Sequence, residues 1–182
     1  MAMGSVMVTG SNRGLGLEWV RQYAAAGWRV YATCRFPDQA DDLRRLQSQN
    51  PNLSIHRLDV TQPDHVRQMA EQLADSPLDV LINNAGIYRE RWGKDQFGRI
   101  DYADWLDTFA VNTLGAMRVS EALVDSLARS ERRLLVAVSS HMGSIADIGA
   151  PNDYAYRSSK AALNAAMKGV SLDLARRGIG VL

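Results

Sequence analysis

A three-layer α/β domain built on a parallel, doubly wound sheet is the fold this sequence predicts. Three observations predict it. Short β-branched runs alternate with longer stretches of helical period, the runs are apolar on both faces, and a glycine-rich turn joins the first run to the first helix. The strand candidates are SVMVTG (5–10), WRVYATCR (28–35), LSIHRLDV (53–60), LDVLINNAG (78–86), RLLVAVSS (133–140) and a beginning at GIGVL (178–182). Helical stretches occupy 14–26, 38–49, 63–75, 103–129 and 154–177. Gly27 stops the first of these, and Thr61 with Pro63 opens the third. Right-handed crossovers then favour the strand order 3-2-1-4-5-6. The segment YRERWGKDQFGRID (88–101) is a long polar and aromatic insertion after the fourth strand, at the end of the sheet where such folds bind ligands.

Residues 1–182 suit one domain with a real core. The chain is 46% hydrophobic and 23% charged with a net charge of +1, which gives no electrostatic reason to expect nucleic acid or an anionic membrane as partner. The single cysteine, Cys34, excludes an internal disulfide and suits a reducing compartment. No apolar run approaches bilayer length and no basic-then-apolar leader opens the chain, so the cytoplasm is the expected location. His56, His65 and His141 are not spaced as metal ligands, and no metal is expected.

The turn TGSNRGLG (9–16) spaces its glycines Gly10, Gly14 and Gly16 as G-x3-G-x-G. A tight turn with bare backbone lets a pyrophosphate approach the free N–H groups at a helix N-terminus, so a Rossmann-type nucleotide site is expected here. An acid at the end of the second strand would anchor the ribose of NAD. Arg35 stands there instead, with no acid until Asp38, and Arg13 lies within the glycine turn. Two guanidinium forks near one ribose suit a 2′-phosphate, which points to NADP(H) rather than NAD(H). The plainer alternative is two solvated surface arginines.

Tyr156 and Lys160 are four apart and share a helix face, whereas Tyr154 lies about 240° from Lys160. Alone, such a pair is worth a few tenths of a kcal/mol on an exposed helix. Taken in order, however, TGSNRGLG, LDV (58–60), NNAG (83–86), Asn112 in a long helix, VSS (138–140) and Tyr156-x3-Lys160 resemble the short-chain dehydrogenase/reductase family in its compact, single-domain form. TGSNRGLG, VNTLGAMRV and AYRSSKAALN resemble its carbonyl-reductase-like branch, with Sniffer and the C-factor-like proteins. The resemblance implies that Gly10, Asn12, Arg13, Gly14, Leu15, Gly16 and Arg35 hold the cofactor, that Asp59 and Val60 contact its adenine, and that Asn84 lies beside the ribose and strand edge. It further implies a catalytic set of Asn112, Ser140, Tyr156 and Lys160, the last two also touching cofactor. Tyr154 has no family counterpart and is expected to line the substrate side. Met142 and Trp92 are candidates for the same cleft or for simple packing. Strand alternation sends Ser139 and Ser140 to opposite faces, and the Ser140-to-Tyr156 loop is slightly longer than the common family spacing. Family pattern selects Ser140.

Reducing a carbonyl needs a hydride on carbon and a proton on oxygen. A free phenol titrates near 10, and bringing it two to three units lower takes roughly 3–4 kcal/mol, which an ammonium in a dry cleft can supply. Lys160 is therefore expected to tune Tyr156, Ser140 to donate to the developing oxyanion, and Asn112 to hold a water that relays protons from Lys160. The expected activity is NADPH-dependent reduction of small aldehydes and ketones. The alternative is a non-catalytic nucleotide-binding or signalling protein on the same fold. Apolar stripes on the helices 103–129 and 154–177 (Leu106, Phe109, Leu114, Met117; Leu163, Met167, Val170, Leu174) suggest a homodimer or homotetramer. The chain ends at RRGIGVL, where family members continue through a substrate lid and a seventh strand, so the expectation is that the C-terminal part of the natural protein is missing.

Overall fold

The computed structural model describes residues 3–89 and 96–182. Six parallel strands form one sheet in the order β3-β2-β1-β4-β5-β6, the order expected from the alternating pattern. They are β1 (Ser5–Thr9), β2 (Arg29–Cys34), β3 (Leu53–Arg57), β4 (Val80–Asn83), β5 (Leu134–Ala137) and β6 (Gly180–Val181). The helices are α1 (Gly14–Ala25), α2 (Asp41–Gln49), α3 (Pro63–Gln72), α4 (Tyr102–Phe109), α5 (Ala116–Ala128) and α6 (Tyr154–Leu174). All five residues of β1 and all four of β4 are buried, as strands covered on both faces must be.

Successive side chains of those central strands point to opposite faces and feed two separate cores. Met7 and Leu81 join Leu123, Leu127, Leu163 and Met167 on one side. Val6, Val8 and Ile82 join Val20, Val30 and Leu43 on the other. Each fully buried Leu or Val contributes about 1.5–3 kcal/mol relative to exposure, so the pattern of burial fixes both the register and the two helical layers.

Several strands end earlier than their apolar runs suggest. β3 stops at Arg57 and β4 at Asn83, although Leu58 and Val60 remain buried beyond the last paired residue. The stretch 38–49 is a short 3-10 turn, Pro37–Gln39, followed by α2, because Ala40 leaves helical geometry at φ −98° and ψ 64°. The stretch 103–129 is likewise not one α-helix. It starts at Tyr102, capped by Asp101 accepting from the Ala103 and Asp104 N–H groups, and is interrupted by a π-helical turn at Ala110–Gly115. Such a turn admits an extra residue and re-aims the side chains around it. Here it turns Asn112 inward and places Gly115 against Val60. The expected apolar stripe is divided: Leu163 and Met167 belong to the core, while Leu106 and Leu114 face outward.

A Cβ on Gly115 would sit 2.5 Å from Val60 Cγ2, whereas one on Gly169, in α6, would meet nothing within 4 Å. Gly115→Ala is therefore expected to destabilise by about 1–3 kcal/mol. Gly169→Ala should stabilise by up to about 1 kcal/mol through helix propensity. Urea unfolding of the two variants checks the opposite signs.

Candidate active site

The strands' C-terminal ends bring the singled-out segments to one edge of the sheet. After β1 the glycine turn starts at Gly10, whose φ of +67° suits only glycine comfortably. Gly16 has no room for a side chain: its Cβ would stand 2.2 Å from the Gly10 carbonyl oxygen and 2.6 Å from Asn84 Nδ2. Polar latches hold the turn in place. Ser11 Oγ donates to the Val8 carbonyl at 2.7 Å, and Asn84 Nδ2 donates to the Thr9 and Gly10 carbonyls at 2.9 and 3.2 Å. Thr9 Oγ1 accepts from the Asn84 and Ala85 N–H groups. Asn84 is thus a strut between the turn and the end of β4.

The mouth of this turn fits an anionic, phosphate-bearing group. No side chain caps α1 and no acid lies in its first turn, so its leading N–H groups face outward with the positive end of the helix dipole. Space over Gly14 is open. Asn12, Arg13, Gly14, Leu15 and Arg35 are all exposed around it. Among the described residues neither arginine pairs with a carboxylate; Arg35 lies only over its neighbour Phe36, 5.9 Å from the ring centroid. At the end of β3, Asp59 Oδ1 accepts from the Thr61 N–H and hydroxyl at 2.9 and 2.7 Å, leaving its other oxygen unused. The Val60 side chain is only 6% exposed and is packed into the core, so any adenine contact there would go through its main chain.

A second cluster sits beyond β4 and β5. Asn112, 1% exposed, accepts at Oδ1 from the Ile87 N–H at 2.8 Å. Its Nδ2 donates to the Ile87 carbonyl at 2.9 Å and to Ser159 Oγ at 3.0 Å. Both amide hydrogens are therefore committed to protein partners. Lys160, 4% exposed, donates to the Val138 carbonyl at 2.8 Å and stands 5.9 Å from the Tyr156 ring centroid. Burial brings its pKa down to about 8.

The two serines after Val138 differ. Ser139 Oγ donates to Asn164 Oδ1 at 2.6 Å, on α6. Ser140 Oγ accepts from the Met142 N–H at 3.1 Å as the cap of a 3-10 turn, His141–Gly143, and its own hydrogen has no acceptor among the described residues. Tyr88, which the sequence reading passed over, stacks its ring 4.5 Å from that of Tyr156. An aromatic residue two positions past NNAG at the ligand end of a strand was the available signal.

Tyr154 goes elsewhere. On α6 it points about 160° away from Tyr156 and joins Trp105, Met142, Ile145, Ile148 and Arg157 around a cavity of about 380 Å³. Met142 lines the same cavity. Trp92 lies outside the described residues. His141 is exposed, 3.5 Å from Asp147. Among the described residues no three His, Cys, Asp or Glu side chains are grouped to hold a metal, and no helix is long and apolar enough to cross a membrane.

Residues 5–182 match the sequence profile of the short chain dehydrogenase family. The chain belongs to this family. It resembles C-signal of Myxococcus xanthus, with 42% identity over 113 residues, 62% of this chain and 66% of that protein. The chain thus spans about two thirds of the length of this curated relative. Its fold superposes on an NADPH-bound carbonyl reductase from chicken fatty liver with a TM-score of 0.89 and 33% identity, over 100% of this chain and 78% of that one. Sniffer, a carbonyl reductase of D. melanogaster, gives 0.87 and 31%, over 98% of this chain and 78% of that one. Within this short chain dehydrogenase fold, the order of glycine turn, Asn84, Asn112, Ser140, Tyr156 and Lys160 along the chain becomes one continuous edge of the sheet.

The Lys160 pKa has a consequence for stability. A lysine at about 8 in the folded protein and 10.5 in the unfolded chain leaves the unfolded state with more protons bound between those values. The cost of burying the ammonium is fully present below about 8, shrinks through that window and is gone above it. Unfolding free energy should therefore rise from pH 8 toward pH 10 more steeply in wild type than in Lys160→Met. Urea titrations across that range measure the difference in slope.

Proposed function

We propose that the protein is an NADPH-dependent oxidoreductase that reduces small aldehydes and ketones. One observation carries the reading: a buried ammonium, held by the Val138 carbonyl two residues before Ser140, faces the ring of Tyr156. A lysine removed from water at that cost makes sense where its charge acts on a neighbour. The unpaired Arg13 and Arg35 beside the open glycine turn support NADPH, as does the likeness to a carbonyl reductase carrying NADPH.

When bound, NADPH would supply the hydride for the new C–H bond. The protein's residues handle the oxygen. Tyr156 gives its hydroxyl proton to the carbonyl oxygen as negative charge develops there. Ser140, with its hydrogen uncommitted among the described residues, donates a hydrogen bond to the same oxygen. Lys160 has donors left beyond the Val138 bond; it holds positive charge beside the phenol and serves a ribose hydroxyl. Asn112 positions rather than reacts, fixing Ile87 and Ser159 on either side of Tyr156. Gly10, Asn12, Gly14, Leu15 and Gly16 receive the pyrophosphate, and Asp59, the Val60 main chain and Asn84 frame the adenosine side.

A second reading, a nucleotide-binding or signalling protein without turnover, is favoured by one observation, the likeness to C-signal. Loss of NADPH absorbance with a panel of aldehydes and ketones separates the two. The expected outcome is turnover with NADPH, at least about tenfold less with NADH at equal concentration, and a drop of about 10²–10⁴ in Tyr156→Phe. Tight NADPH binding with no consumption on any carbonyl would favour the second reading.

The protein assembles, in this reading, as a homodimer or homotetramer through the α4–α5 and α6 faces, where Leu106, Leu114 and Leu172 are 72%, 48% and 65% exposed. Sedimentation velocity should return a mass at least twice that of one chain; a monomer at micromolar concentration would remove this proposal.

A further inference from the structure

We propose that Tyr88 is a positioning residue for the proton donor: a strut, fixed at both ends, that holds the Tyr156 ring in place, with Asp153 as its anchor. The proposal rests on the reductase reading above. Its first support is the contact itself, two tyrosine rings with centroids 4.5 Å apart and planes tilted by 31°. This is the range in which aromatic pairs attract beyond their buried area. Lys160 Nζ, 5.9 Å from the same ring, flanks Tyr156 along the helix, so the phenol has a cation and an aromatic wall for neighbours.

The second support is that neither end of Tyr88 is free to move. On its main-chain side, the preceding residue Ile87 has both its N–H and its carbonyl bonded to the buried Asn112 amide. At the far end, the Tyr88 hydroxyl donates to Asp153 Oδ1 at 2.5 Å. The third support is what Asp153 does not do. It stands at the N-cap of α6, where an aspartate ordinarily accepts from the N–H groups of the first turn. Here its side chain makes no cap bond, and its backbone sits in the left-handed region at φ 57°. Its neighbour Asn152 is left-handed too, at φ 75°. Left-handed backbone is uncommon away from glycine, and here it turns the carboxylate toward Tyr88 at the start of the helix that carries Tyr156 three residues later. Tyr88 thereby clamps the loop after β4 to the N-terminus of α6, across the proton donor.

The experiment is steady-state kinetics with NADPH and the best carbonyl of the panel, on Tyr88→Phe, Tyr88→Ala, Asp153→Asn, Asp153→Gly and the double variant Tyr88→Phe/Asp153→Gly. NADPH affinity by fluorescence and the solvent deuterium isotope effect on kcat are measured alongside. Asn and Gly both tolerate the left-handed backbone; Asn keeps an acceptor for the hydroxyl and Gly removes it. Tyr88→Ala should lower kcat about a hundredfold, and Tyr88→Phe and Asp153→Gly by about three- to tenfold each. The double variant should be no worse than either single one, because both remove the same bond. Asp153→Asn should stay near wild type. NADPH affinity should hold throughout, and the solvent isotope effect should rise in the slowed variants as proton transfer becomes limiting.

Tyr88→Phe at wild-type kcat, or a fall in kcat that only tracks lost NADPH binding with an unchanged isotope effect, would overturn the role of Tyr88. Asp153→Asn as slow as Asp153→Gly would overturn the anchor. Should Tyr88→Ala fail to fold, Tyr88→Phe alone decides. A wild-type protein inactive on every carbonyl would remove the reductase reading and this proposal together, whereas active wild type with indifferent Tyr88 variants removes only the proposal.

Discussion

The amide of Asn112 joins three pieces of chain that no strand pairing connects. Its carbonyl oxygen and nitrogen bracket the Ile87 peptide, and its second hydrogen goes to Ser159 on α6. Ser159 in turn donates to the Tyr156 carbonyl at 2.8 Å. Asn112 and Ser159 are buried and the Ile87 and Tyr156 groups half-buried, so losing the amide would leave buried polar atoms without partners at about 1–3 kcal/mol each. The amide thereby ties together the loop after β4, the π-helical turn and α6. The π-turn at Ala110–Gly115 is what allows it: the extra residue brings Asn112 inward while leaving α5 in register with Leu123 and Leu127 in the core.

From that anchor the edge divides by charge. One half, around Gly10 to Gly16, offers the uncapped start of α1 and two exposed guanidinium groups that pair with no carboxylate among the described residues. This is a surface prepared for an anion. The other half is more enclosed, with Lys160 buried and its half-buried neighbours Tyr156 and Tyr88 in ring contact at a 31° tilt. Asn84 spans the two, since it ties the glycine turn to the strand whose loop leads on to Ile87 and Tyr88. An extended ligand with a polyanionic end and a flat, weakly polar end would meet matching chemistry along the whole length.

The sequence pattern revealed much of this and missed the rest for definable reasons. Strand order followed from alternation and handedness, and the segments of the edge followed from short motifs beside strand ends. Strand lengths were overrun at 53–60 and 78–86, because Leu58 and Val60 stay buried after the ladder has ended at Arg57 and burial alone leaves the same apolar trace. The break in 103–129 is not legible either, since a π-turn shifts the helical phase and its one glycine, Gly115, reads equally as a close-packed helical residue. Helical spacing fixes the angle of Tyr154 to Lys160 but not the Trp105 ring it meets on that far side. The link between Tyr88 and Asp153 spans 65 positions, and no local period can announce such a contact.

What the fold spends stability on is informative. Lys160 is buried with one protein acceptor for its ammonium, a charge that a stable core would replace with an apolar chain. Asn152 and Asp153 hold left-handed backbone without being glycine. Asp153 sits at a helix cap it does not use. These departures meet at the start of α6 and the ring of Tyr156, while Arg133, left-handed at φ 51° before β5, and the buried Asn83 Oδ1 on β4, without a partner among the described residues, are departures elsewhere. Gly16 and Gly115 are glycines because a side chain would collide. Locally inconsistent choices that gather around one side chain mark a place where the chain departs from what packing and propensity favour. Stability alone gives no reason for a cation, an aromatic strut and a strained cap to meet at a single phenol.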